Sequence, residues 1–210
     1  MSEVSNGVRS ILRVPAVYNL FIDLVGAGEA RIRWVRDFLK PFPGARILDI
    51  GCGTAEMLGH LPADVEYTGF DMSEAYIDAA RRRFGARGRF TCAKVEAFGP
   101  GSHGPHADGF DIALAFGVLH HLDDSECRSL FQGARNALKP GGRLVTLDPC
   151  YLDGQSYLAK FVVSHDRGRN VRFPEAYAAL GRSSFPDIAI TIQEKPLRIP
   201  TQNTVLVCRA

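Results

Sequence analysis

Apolar positions along this chain fall into short solid runs and longer spaced stripes, and the two alternate. Ile47-Leu48 with Ile50 is a short run, which reads as a strand buried on both faces of a parallel sheet. It leads into Gly51-Cys52-Gly53, where missing Cβ atoms let the backbone turn tightly and approach a ligand. Thr54 or Ala55 then starts a helix over Glu56 to His60, which ends before Pro62. Val65 to Phe70 reads as a second strand, ending at Asp71. Ser73 is suited to cap a helix whose buried face is Tyr76, Ile77, Ala80 and Phe84. Arg89 to Ala93 and Asp111 to Phe116 read as the third and fourth strands. A helix follows with Cys127, Leu130, Phe131, Ala134 and Leu138 on its apolar face. Lys139-Pro140-Gly141-Gly142 reads as a turn, and Arg143 to Leu147 as a fifth strand ending at Asp148-Pro149. Ile188 to Ile192 and Thr204 to Cys208 form a closing hairpin; Pro196 and Pro200 keep its connection out of the sheet interior.

The remaining segments are less regular. Val17, Leu20, Phe21, Leu24 and Val25 have helical period, interrupted by Gly26 and Gly28. Ile32, Trp34, Val35, Phe38 and Leu39 make a second amphipathic helix, ended by Pro41 and Pro43. The Gly99–Gly109 stretch is a surface connection, with His103 and His106 as solvated loop residues. The predicted layout is one domain: a helical cap over 1–43, a core over 44–149, a polar insert over 150–186 and the hairpin over 187–210.

The strand, glycine turn and helix are the first half of a nucleotide-binding unit. Asp71 stands roughly twenty residues beyond the turn, the spacing of a carboxylate that accepts bonds from ribose hydroxyls. A pyrophosphate ligand would require G-x-G-x-x-G; here the pattern is D-x-G-x-G, with Asp49 ahead of the glycines. That carboxylate repels a phosphate chain and attracts a cation. The ligand should carry a ribose and a positive group, as S-adenosylmethionine does.

Four blocks then stand in order: ILDIGCGT, YTGFDMSEAYIDAARRRF, FDIALAFGVLHHL and LKPGGRLVTLDP. Together they resemble the class I S-adenosylmethionine-dependent methyltransferases, in their small-molecule branch, over Gly44 to Pro149. The resemblance implies an α/β fold: a Rossmann-like, mostly parallel seven-stranded sheet with an antiparallel last strand beside the fifth, and helices on both faces. It implies cofactor contacts at Asp49, Gly51, Cys52, Gly53 and Asp71, with Met72 against adenine and Ala115 and Phe116 facing the methionine part. Many members carry an aspartate near Lys94; this chain does not, so backbone groups around Lys94 and Val95 would hold the adenine. The N-terminal helices would form a lid, from which Tyr18 and Arg31 or Arg33 reach the cofactor tail.

Methyl transfer from a sulfonium is an in-line displacement, so alignment is the protein's main task. An oxygen acceptor also needs a general base. His120, just past the fourth strand, is the candidate, with Asp148 after the fifth strand to orient its imidazole. The alternative is that the His120-His121 pair packs, or caps the next helix together with Asp123. Beyond Asp148, Tyr151, Arg167, Arg169 and Arg172 are candidate acceptor contacts; arginine offers planar donors for carboxylate, phosphate or vicinal hydroxyls. The arginines could equally be surface residues neutralised by Asp166 and Glu175, or ties between the insert and the lid.

The expected activity is O-methylation of a small polar molecule or a sugar or glycan precursor. Alternatives are N-methylation of a small amine, and cofactor binding without transfer. A formal charge of +2 gives no electrostatic case for nucleic acid, and no N/D-P-P-Y or prolyl-cysteine motif follows the fourth strand. No stretch approaches a membrane span. Five cysteines without C-x-x-C spacing read as reduced thiols of a cytoplasmic protein, and no metal set is foreseen. No feature of the sequence sets an oligomeric state.

Overall fold

The computed structural model describes residues 27–93, 109–157, 160, 168, 170–194 and 201–210. The expected helix over Val17 to Val25 and nearly all of the Gly99–Gly109 connection lie outside them. Among the described residues, seven strands form one sheet: β1 (Arg46–Ile50), β2 (Glu66–Asp71), β3 (Gly88–Cys92), β4 (Phe110–Phe116), β5 (Leu138–Pro149), β6 (Asp187–Glu194) and β7 (Gln202–Arg209). Four α-helices accompany them: α1 (Ala27–Trp34), α2 (Glu74–Phe84), α3 (Asp124–Ala137) and α4 (Pro174–Gly181).

The strand order is β3-β2-β1-β4-β5-β7-β6. The first five pair in parallel, and β7 runs antiparallel to both β5 and β6. This is the Rossmann-like sheet with an antiparallel last strand that the four blocks imply. The chain crosses from the β1-β2-β3 half to the β4-β5 half between β1 and β4. Such a crossing opens a crevice at the carboxyl ends of the strands, and that is where open parallel sheets bind ligands.

Strand alternation divides the core into two layers. One holds Leu48, Ala113, Ala115, Leu144 and Leu206 and is covered by α3 and α4 through Leu130, Phe131, Tyr177 and Leu180. The other holds Ile47, Ile112, Leu114, Val145 and Val205 and is covered by α1 and α2 through Ala30, Trp34, Ile77 and Ala80. Ile47, Leu48 and Ile50 of β1 and Ile112, Ala113, Leu114 and Ala115 of β4 make solid apolar runs because both faces of these strands are covered. Each Leu or Phe fully buried in these layers contributes about 1.5–3 kcal/mol.

Three local features depart from the sequence expectation. Glu56–His60 is a single 3₁₀ segment, entered through Ala55 in the left-handed region at φ 58°. The second N-terminal helix passes from α1 into a π-turn over Val35–Leu39, where Lys40 N donates to Val35 O at 2.7 Å. That wider turn brings Leu39, five residues after Trp34, to the buried side with Ala30 and Trp34, while Ile32, on the other face of α1, is 58% exposed. Lys139 to Gly142 belong to β5, whose pairing with β4 slips between Phe110 and Ile112.

Candidate active site

The glycine turn leaves β1 at its carboxyl end. Gly51 sits at φ +70°, and a Cβ there would come 2.7 Å from Val118 Cγ2. Glycine is therefore required both by the backbone and by the loop after β4. Cys52 N donates to Phe70 O at 2.9 Å, which pins the turn to the end of β2. Asp71 bridges the two elements: its Oδ2 accepts from Gly53 N at 3.0 Å and its Oδ1 from Ser73 N at 2.8 Å. Ser73 caps α2 by accepting from Tyr76 N at 3.4 Å, as expected. An ionised carboxylate has about four lone-pair sites, so Asp71 keeps acceptor capacity for ribose hydroxyls. Met72, next in the chain, is 74% exposed.

Asp49 lies beneath the turn, 3% exposed, and accepts from the Tyr67 hydroxyl at 2.5 Å. Burial raises its carboxyl to about 7; the Tyr67 hydrogen bond opposes the rise and the neighbouring Asp71 charge adds to it. A buried carboxylate beside a second carboxylate is suited to a cation and hostile to phosphate. That donor set, with the glycine cradle above it, fits S-adenosylmethionine. Burial pushes the Cys52 thiol far up, and Asp49 and Asp71 push it further. Cys52 is a packing thiol, not a nucleophile. Gly69 makes room for it, since a Cβ there would lie 2.9 Å from Cys52 Sγ and 3.0 Å from Tyr67 Cε1. Tyr67 and Gly69 pack beneath the glycine turn, and the motif pattern does not reveal them.

Ala115 is fully buried at the end of β4. Trp34 meets the Phe116 ring edge-on at 5.9 Å, and its Nε1 donates to Gln193 Oε1 at 2.9 Å. This carries α1 to the carboxyl ends of the strands. Arg31 lies 3.9 Å from Glu56 Oε2 and is paired to the 3₁₀ segment. Tyr18, Lys94 and Val95, the other expected cofactor contacts, lie outside the described residues.

The loop after β4 continues past Val118 into a 3₁₀ turn, Leu119–His121. His120 Nδ1 lies 2.8 Å from Asp148 Oδ1, and the same oxygen accepts from His120 N at 3.1 Å. Both side chains are buried, Asp148 completely. Burial raises the Asp148 carboxyl, against the pull of its bonds to His120. Its Oδ2 is buried without a hydrogen-bond partner among the described residues. The His121 ring lies 4.0 Å from that of His120. Asp123, not a histidine, caps α3: it accepts from Ser125 N and Glu126 N, and Glu126 returns a bond to Asp123 N.

Of the candidate acceptor residues, Arg167 and Arg169 lie outside the described residues. Tyr151 is half-buried, with its ring 6.2 Å from that of Phe173. Arg172 requires a correction. Its guanidinium is turned inward, onto the carbonyls of Leu119, Leu122 and Asn170 and onto Asp124, so it has no donor left for an acceptor molecule. Among the described residues no group of three His, Cys, Asp or Glu side chains could hold a metal, and no helix is long and apolar enough to cross a membrane.

A family profile described as a methyltransferase domain matches residues 48–144. O-methyltransferase resE of Aspergillus sclerotiorum is 32% identical over 127 residues, 59% of this chain and 47% of that protein. The chain spans about half, or less, of the length of the curated relatives it matches. Among solved structures, a SAM-dependent methyltransferase from Archaeoglobus fulgidus superposes with a TM-score of 0.70 at 18% identity, covering 92% of this chain and 99% of that one. Geranyl diphosphate C-methyltransferase from Streptomyces coelicolor, solved with Mg2+, geranyl diphosphate and S-adenosyl-L-homocysteine, gives 0.65 at 16% identity, over 87% and 80%.

Proposed function

We propose that this chain, whose residues 48–144 match a methyltransferase-domain profile, is a class I S-adenosylmethionine-dependent methyltransferase that methylates an oxygen of a small polar molecule. When bound, S-adenosylmethionine supplies a methyl group already activated on sulfur. Asp71 would hold the ribose, Asp49 would face the cationic end, and Gly51 and Gly53 would let the backbone come close. Met72 and the chain after β3 would flank the adenine. These residues bind and orient; they do not themselves react.

One observation carries the choice of oxygen: His120 and Asp148 are paired at 2.8 Å where β4 and β5 end, in the loop that also packs on Gly51. A carboxylate accepts only, so Nδ1 carries the proton and donates it to Asp148. Nε2 is then the basic nitrogen, which would take the proton of a hydroxyl as the acceptor attacks. Asp148 stabilises the imidazolium that results. A neutral amine is already nucleophilic and would not need such a base. The O-methyltransferase names among the relatives support the same choice.

The test is to incubate the protein with S-adenosylmethionine and separate panels of phenols, sugars and small amines, and to measure S-adenosylhomocysteine. A hydroxyl acceptor should raise turnover, and His120→Ala should lower it about 100-fold or more while cofactor affinity stays unchanged. Turnover with amines alone, or an unaltered rate in His120→Ala, would overturn the assignment.

A further inference from the structure

The short return limb of the insert lies directly on His120. A Cβ built on Gly168 would fall 1.9 Å from His120 Cδ2 and 2.7 Å from His120 O. Only a hydrogen fits between that backbone and the ring. Two residues on, Asn170 N donates to His120 O at 2.9 Å. His120 is 4% exposed as a result of this enclosure, although it stands in a loop.

Arg172 holds the limb in place. Its five N–H groups make five contacts: Nε and Nη2 to Asp124 Oδ1 at 3.1 and 2.8 Å, Nη1 to Leu119 O at 3.1 Å and Asn170 O at 2.9 Å, and Nη2 to Leu122 O at 2.9 Å. Leu119 and Leu122 flank His120-His121 in the chain, Asp124 opens α3, and Asn170 belongs to the limb. The guanidinium also lies over the Tyr177 ring at 5.6 Å, and the Tyr177 hydroxyl donates to Pro149 O at 3.1 Å, one residue beyond Asp148. Arg172 O accepts from Tyr151 N at 3.2 Å, which ties the limb to the chain leaving β5. Arg172 therefore joins the loop carrying His120, the chain leaving the strand that carries Asp148, and the limb that lies on His120.

We propose that Arg172 is a positioning residue, which clamps Gly168 and Asn170 across the His120 ring so that the imidazole stays paired with Asp148. The planar fork matters, because three carbonyls and a carboxylate must be met at once. An ammonium could replace the ion pair with Asp124 but not that set of directions. This rests on the assignment of His120 and Asp148 as a working pair.

The experiment needs no acceptor. The protein is labelled with 15N-histidine, saturated with S-adenosylhomocysteine, and followed by NMR at the His120 ring. In the wild type, the Nδ1 proton held by Asp148 should be visible and exchange slowly with water. Arg172→Ala should accelerate that exchange about tenfold or more, since the charge-assisted bonds that hold the limb on His120 are lost. Arg172→Lys should not restore slow exchange, and Asp124→Asn, which leaves the carbonyl bonds in place, should stay near the wild type. Gly168→Ala removes no hydrogen-bonding group and should accelerate exchange by displacing the limb. If Arg172→Ala does not fold, Gly168→Ala and Arg172→Lys carry the comparison.

Ring exchange unchanged in these variants, even with a lowered melting temperature, would make Arg172 a structural tie only and overturn the proposal. A wild-type spectrum with the proton on Nε2 would overturn the His120–Asp148 pairing itself, whatever Arg172 does.

Discussion

Two carboxylates at the glycine turn, the proposed cofactor site, differ in their surroundings. Asp71 is fixed by two backbone N–H groups and keeps lone pairs for a ligand. Asp71→Ala should raise the dissociation constant for S-adenosylhomocysteine about 100-fold by calorimetry, the scale of losing two bonds to a charged group. Asp49 is buried under one neutral donor, with its carboxyl raised from 3.8 to about 7. The empty folded protein then holds a proton that the unfolded chain has already released. Its stability should fall as pH rises from about 4 to 7 and level off above, which urea titrations across that range would show. Affinity for the cationic cofactor should move the other way, rising through about pH 7 as Asp49 ionises. Tyr67→Phe removes the bond that favours the ionised form, so the midpoint of that rise should shift to higher pH. A midpoint unmoved by this change would separate Asp49 from the titration. That Asp49, Asp71 and the glycines meet at one turn was legible in the sequence because they sit at fixed spacing in one unit. Tyr67 was not, because its meeting with Asp49 depends on the β1–β2 register, Ile47 opposite Tyr67 and Asp49 opposite Gly69. Arg172 was misread for a related reason: three arginines in a polar stretch give no sign that Arg172 turns inward.

Among the elements, the legible ones are those with a strong period or a strong cap. β1, β4, α2 and α3 stand close to where the apolar pattern put them, and Ser73 and Asp123 mark the helix starts. The segment after the glycine turn was misread as an ordinary helix. Five residues between Ala55 and Leu61 close only a 3₁₀ turn, and composition does not distinguish the two. The π-turn over Val35–Leu39 was equally hidden, since one extra residue in a turn leaves no mark on a hydrophobic stripe. That turn ends at Lys40, held at φ 43°. A side chain in this region costs free energy that glycine avoids. Lys40→Gly should therefore stabilise the protein by about 0.5–1 kcal/mol in denaturant titrations. The Lys40 carbonyl would still accept from Arg143, which ties the turn to β5. A destabilised variant would mean that the Lys40 side chain contributes more than its backbone conformation costs.

For the molecule as a whole, the sheet brings together residues far apart in the chain. Asp49 and Asp71 come from the β1-β2 half, His120 and Asp148 from the β4-β5 half, and the crevice between β1 and β4 joins them. The strand order places β7 between β5 and β6. In the order of synthesis, β5 and β6 therefore both leave the ribosome before the strand that pairs with them. Until β7 arrives, the outer edge of β5 offers open backbone groups, and Asp148, later opposite Thr204 in the ladder, lacks its neighbour on that side. The parallel half of the sheet can form as the chain emerges, whereas Asp148, paired with His120, gains its ladder neighbour only when a strand more than fifty residues downstream is added. The β1–β2 pair with Asp49 and Asp71 can thus be complete in a nascent chain before Asp148 gains its neighbour on β7.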